Sequence, residues 1–170
     1  ANLSRTSLSG VDLSGADLSG ADLTGAIWSG YYIRGGVNLS GADLSGANLQ
    51  YANLAATTLS GADLSNANLQ DVIIDSADLS GADLTGANLQ YAYLHLVNFS
   101  GANLSGADLS NTNLENAFML NANLSGANLQ YANLSGADLS NANLEDADIR
   151  NTLLDKQFVK DTSTPNCGTG

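Results

Sequence analysis

Leucine, or an apolar residue in its place, recurs at every fifth position of this chain. It stands at 3, 8, 13, 18, 23, 28 and 33, and then from Leu39 to Leu154 in unbroken register. Of these 31 centres 25 are Leu; the others are Trp28, Ile33, Ile74, Phe99, Met119 and Ile149. Two residues before each centre stands Ala in 22 cases, Val or Thr in eight, and Tyr31 once. A period of five cannot keep one face of an α-helix, whose turn takes about 3.6 residues. In an extended segment residues i and i−2 point to the same side. Each repeat therefore sends one Leu and one Ala to an interior and must turn before the next. Ser, Gly, Asn and Asp fill the remaining positions and suit corners and outward faces.

A weaker echo gives the coil. Gln50, Gln70, Gln90 and Gln130 share one position, and Tyr51, Tyr91 and Tyr131 the next. Twenty residues per turn means four repeats and a square cross-section. Between Gly25 and Asn38 the spacing of centres lengthens by one residue, which predicts a one-residue register break. The run Ala16-Asp17-Leu18-Ser19-Gly20 resembles the pentapeptide-repeat family, and the likeness extends over residues 1–154. The resemblance implies an all-β fold, a right-handed parallel quadrilateral β-helix, here of about eight coils. At about 4.8 Å per coil the rod is roughly 37 Å long. Leu153, Leu154, Phe158 and Val159 predict a short helical cap within 155–170, followed by a flexible tail. Leu3 and Leu8 lie at an end without a cap, an opening for an end-to-end homodimer.

The net charge of −12 is concentrated in the middle of the chain. From Gly35 to Ile149 there is no Lys or Arg, against ten Asp plus Glu115 and Glu145. A nucleic-acid-binding surface needs basic residues to displace counterions, so direct binding of DNA or RNA is excluded. An interior of Leu and Ala leaves no room for a substrate. The single His removes most nucleophile–base pairs, and the segment Gly-Ala-Asp-Leu-Thr-Gly lacks the Lys of a phosphate loop. The expectation is a non-enzyme without cofactor, acting through an unknown protein partner. No apolar run spans a bilayer. The chain reads as soluble and cytoplasmic or, with a signal peptide removed, periplasmic or thylakoid-lumenal.

Three outer features are candidate sites. With a one-residue break, Arg34, Ala55, Asp75, His95 and Glu115 form one column, and Asp75, His95 and Glu115 are a weak metal or pH-sensing candidate. Asp22, Asp43, Asp63 and Asp83 form an acidic column continued by Asn103, Asn123 and Asn143. Outward apolar residues are candidate partner contacts: Leu96, Phe118 and Leu120 at one corner with Tyr91 and Tyr93 near, and Trp28, Tyr31 and Tyr32 beside the register break. Some members of the family it resembles are acidic rods that occupy the DNA-binding surface of type II topoisomerases and protect against quinolones. Here the charge density is about one per 2.3 Å of rod, against about 1.7 Å for duplex DNA, which makes a DNA mimic the alternative function.

Overall fold

The computed structural model describes residues 1–8, 12–27 and 37–154. Parallel bridges join residues one coil apart and sort the chain into four walls, named here by the residue preceding each central Leu. Wall A carries Asp12, Asn38, Thr58, Asp78, Asn98, Phe118 and Asp138; wall B carries Asp17, Asp43, Asp63, Asp83, Asn103, Asn123 and Asn143. Wall C carries Asn2, Asp22, Asn48, Asn68, Asn88, Asp108, Asn128 and Asp148; wall D carries Ser7, Ile27, Asn53, Ile73, Tyr93, Asn113, Asn133 and Leu153.

The repeat 42–46 shows why these five residue types build a corner. Ala42 N–H closes a turn onto Leu39 O (3.0 Å), Asp43 N–H reaches Ala16 O of the preceding coil (2.9 Å), and Leu44 N–H reaches Asp63 O of the next (2.7 Å). Ser45 N–H is taken by the Asp43 Oδ1 of its own repeat (3.0 Å), and Gly46 N–H by Ser65 O (2.8 Å). All five donors are satisfied, as buried backbone requires. The fifth residue must adopt a left-handed conformation, φ 62° at Gly46 and 56° at Asn66, where Gly and Asn are the inexpensive choices.

The interior is continuous. The central Leu and the Ala two residues before them, from Ala21 to Ala137, are almost wholly shielded from water, together with Phe99, Met119, Ile74, Val72 and Val97. Each fully buried Leu contributes about 2 kcal/mol. Thr57 and Thr112 take Ala positions inside, and their hydroxyls donate to Leu54 O (2.6 Å) and Leu109 O (2.7 Å). At the ends, Leu3 and Leu8 are only partly buried and Leu153 is exposed. The cap expected from Phe158 and Val159 lies outside the described residues.

The register break is larger than one residue. Ser7 pairs with Ile27, but Asp12 pairs with Asn38 and Asp17 with Asp43. That coil takes 26 residues from Asp12 to Asn38 instead of the 20 from Asn38 to Thr58. Six extra residues fall between Ile27 and Asn38. The spacing of centres fixes an insertion only to within multiples of five, so one and six are indistinguishable in the sequence.

Candidate interaction surfaces

The side chain preceding each centre holds the next corner. Asp or Asn there accepts the N–H two residues on, as Asp63 does from Ser65 (2.9 Å) and Asn98 from Ser100 (3.1 Å). Either residue supplies that oxygen, so the fold does not require the charge. Asn adds a second bond between coils: Asn123 Nδ2 donates to Asn103 Oδ1 (2.9 Å), and Asn98 Nδ2 to Asp78 Oδ1 (3.0 Å). Hydrogen bonds from Ser14 N–H to Asp12, and from the Ser19 and Thr24 hydroxyls and N–H groups to Asp17 and Asp22, hold these carboxyls below the usual range. Asp148 is held lowest, by Arg150 and then by Gln130, with Arg150 Nη2 at 2.6 Å.

The acidic column differs from expectation by one member. Asp22 pairs with Asn2 and Asn48 on wall C, and the residue paired with Asp43 is Asp17. The six-residue expansion shifts the first coils by a wall relative to a one-residue break. Asp17, Asp43, Asp63 and Asp83 thus stack directly, with no Asn between them.

Asp75, His95 and Glu115 follow one another along the corner between walls D and A. Among the described residues no three His, Cys, Asp or Glu side chains converge as a metal ion requires. The Asp75 carboxylate is engaged elsewhere: its Oδ1 accepts the His95 backbone N–H at 2.9 Å. Tyr93 stands where Asp or Asn would have capped that group, and Asp75 of the adjacent coil does so instead. Arg34, placed in this column by a one-residue break, lies outside the described residues.

The outward apolar residues wrap two walls instead of gathering at one corner. Ile73 and Tyr93 pair directly on wall D, and Phe118 stands on wall A, paired with Asn98 and Asp138. Leu96 occupies the corner between walls D and A; Leu120 lies at the opposite edge of wall A. Tyr91 is at the far edge of wall D. Tyr93 and Phe118 are about half exposed, at 54% and 50%. Trp28, Tyr31 and Tyr32 lie outside the described residues. No helix among the described residues is long and apolar enough to cross a membrane.

Four repeats per coil, most of them closing the corner through the Asp or Asn before the centre, decide the kinship, and the family model for pentapeptide repeats matches eight times over residues 1–28, 36–75, 77–116 and 117–155. The chain belongs to the pentapeptide-repeat family. The longest internal segment that the pentapeptide-repeat matches pass over, 29–35, falls within the expansion between Ile27 and Asn38. No curated protein matches the chain significantly. Among solved pentapeptide-repeat structures, a trypsin-treated variant of QnrB1, a plasmid-mediated fluoroquinolone resistance protein, is 26% identical over 92% of this chain and 88% of its own, with a TM-score of 0.51. A second trypsin-treated variant of QnrB1 gives 26% over 92% and 85%, with a TM-score of 0.53. HetL from the cyanobacterium Nostoc, a pentapeptide repeat protein involved in heterocyst differentiation regulation, is 31% identical over 90% and 89%, with a TM-score of 0.30.

Proposed function

We propose that this pentapeptide-repeat rod is a non-catalytic interaction module that binds a protein partner across walls D and A. The observation that carries the reading is the departure from the repeat there. Ile73, Tyr93 and Phe118 replace the Asp or Asn that caps a corner, give up that hydrogen bond, and place apolar surface in water. Aromatic residues of this kind are preferred anchors of protein interfaces. Acidic neighbours without a basic residue favour a partner with Lys or Arg around an apolar centre. The test uses Tyr93→Asn and Phe118→Asn, which return both positions to the repeat and preserve the fold. Capture of a partner that the doubly substituted chain loses supports the reading; equal capture by both overturns it.

A second reading rests on the stacked carboxylates of Asp17, Asp43, Asp63 and Asp83 and on the likeness to QnrB1. The rod then occupies the DNA site of gyrase or a related type II topoisomerase. Titration into a gyrase supercoiling reaction at two salt concentrations tests it. Inhibition that weakens with salt supports the mimic, and an unchanged rate at both salts rules it out.

A further inference from the structure

Tyr51, Tyr91 and Tyr131 occupy one corner, between walls C and D, at every second coil. The bridges Asn48–Asn68–Asn88 and Asn88–Asp108–Asn128 set each two strand spacings from the next, about 9.6 Å. Asp71 and Asn111 fill the alternate coils. All three tyrosines have φ 60°, so their Cα–Cβ bonds project in the same direction. They are 59%, 51% and 59% exposed.

The fold does not ask for tyrosine here. The position wants Gly or Asn, and a bulky residue strains the left-handed backbone. The corner bonds record it: Tyr51 N–H to Gln70 O and Tyr91 N–H to Ser110 O are 3.2 Å and Tyr131 N–H to Arg150 O is 3.3 Å, against 2.8 Å at Gly46. Three strained, water-facing aromatic rings in a straight row at a fixed interval match a ligand that is itself straight, periodic and apolar on one face.

We infer that this edge binds an extended, uncharged β-1,4-linked glucan chain, with Tyr51, Tyr91 and Tyr131 each stacking on every second glucose ring. Successive rings of such a chain are flipped, so the same C–H face returns at every second residue, an interval close to two strand spacings. The rings between face Asp71 and Asn111, whose side chains accept hydrogen bonds from hydroxyl groups. The net charge of −12 disfavours anionic polysaccharides, and a chain of hydroxyl donors suits an edge rich in acceptors. The site adjoins wall D at Tyr91 but uses none of Ile73, Tyr93 and Phe118, the residues on which the protein-partner surface rests.

Binding of the full chain to cello-oligosaccharides, followed by calorimetry, and to microcrystalline cellulose, followed by depletion from solution, tests the proposal. Affinity rises from cellobiose through cellotriose to cellopentaose and then levels, because three tyrosines engage the first, third and fifth rings. Tyr91→Asn lowers the affinity at least tenfold while melting no earlier than the parent. Adding Asn111→Tyr to it restores three tyrosines at the wrong interval and does not recover binding. Absence of binding to both cellopentaose and cellulose overturns the proposal. So does full binding by the displaced-tyrosine variant, equal binding to α-1,4-linked amylose, or retention on chitin alone.

Discussion

Asp75 Oδ1 accepts the backbone N–H of His95, in the next coil, at 2.9 Å. The bond replaces one that every Asp- or Asn-bearing repeat makes within itself. Asp75→Ala therefore destabilises the rod by about 1 kcal/mol, whereas Asp75→Asn, which keeps the oxygen, is close to neutral. Combined with Tyr93→Asn, which restores the local cap, Asp75→Ala loses most of its effect. A double-mutant cycle in guanidinium denaturation measures that coupling.

The acid limb of stability follows from the same hydrogen bonds. Asp12, Asp17, Asp22, Asp138 and Asp148 all have folded pKa values depressed from 3.8. A depressed folded pKa gives stability that is present above the unfolded value and lost as pH falls through the folded one. Stability is thus level near neutrality and declines below about pH 4. Replacing Asp12, Asp17, Asp22 and Asp138 by Asn flattens the decline in melts taken between pH 6 and pH 2.

Stacked carboxylates on wall B oppose folding. Asp63→Asn supplies an amide able to donate to Asp43, as Asn103 Nδ2 donates to Asp83 (3.4 Å), and removes like-charge pairs worth about 1 kcal/mol each in water. The variant is more stable than its parent at low salt, and the gain shrinks as salt is added. If the rod mimics DNA, the same substitution weakens gyrase inhibition, so stability and activity move in opposite directions.

Corner residues sort by φ. Tyr51→Asn stabilises by a few tenths of a kcal/mol to about 1. Gly136→Ala destabilises by about 1 kcal/mol or more, since φ is +70° and Asn116 Oδ1 lies where the new Cβ would go. Differential scanning calorimetry of the two variants gives shifts of opposite sign.

Position along the stack sets the cost of a cavity. Leu79 is completely buried, and Leu79→Ala costs about 2–5 kcal/mol. Leu8 is only partly buried, and Leu8→Ala costs less because less packed apolar contact is lost. Hydrogen exchange distinguishes them: opening around Leu79 propagates to adjacent coils, while that around Leu8 stays local.

The inward Leu and Ala, the four-repeat coil and the outward tyrosines are legible in the chain because strand geometry leaves them no other place. The expansion between Ile27 and Asn38 was legible only to within a multiple of five, and the misplacement of Asp22 follows from that alone. The role of Asp75 was hidden for another reason. Its bond crosses from one coil to the next and answers a vacancy left by Tyr93, and a repeat read one unit at a time shows neither. Leu96, Phe118 and Leu120 were recognisable as outward, but their spread over wall A depends on which residues turn the corner.

In a square stack, the compass direction of a side chain is set by its number modulo twenty. Had five of the six extra residues stayed in the coil, everything after Asn38 would have been turned a quarter revolution against the first coils, and Asp17 would no longer face the same way as Asp43. Leaving all six out of the count keeps both parts of the rod on one bearing. Removal or duplication of twenty residues within 39–154 would shorten or lengthen the rod, respectively, without turning it, whereas a change of five would swing every later surface onto a new side.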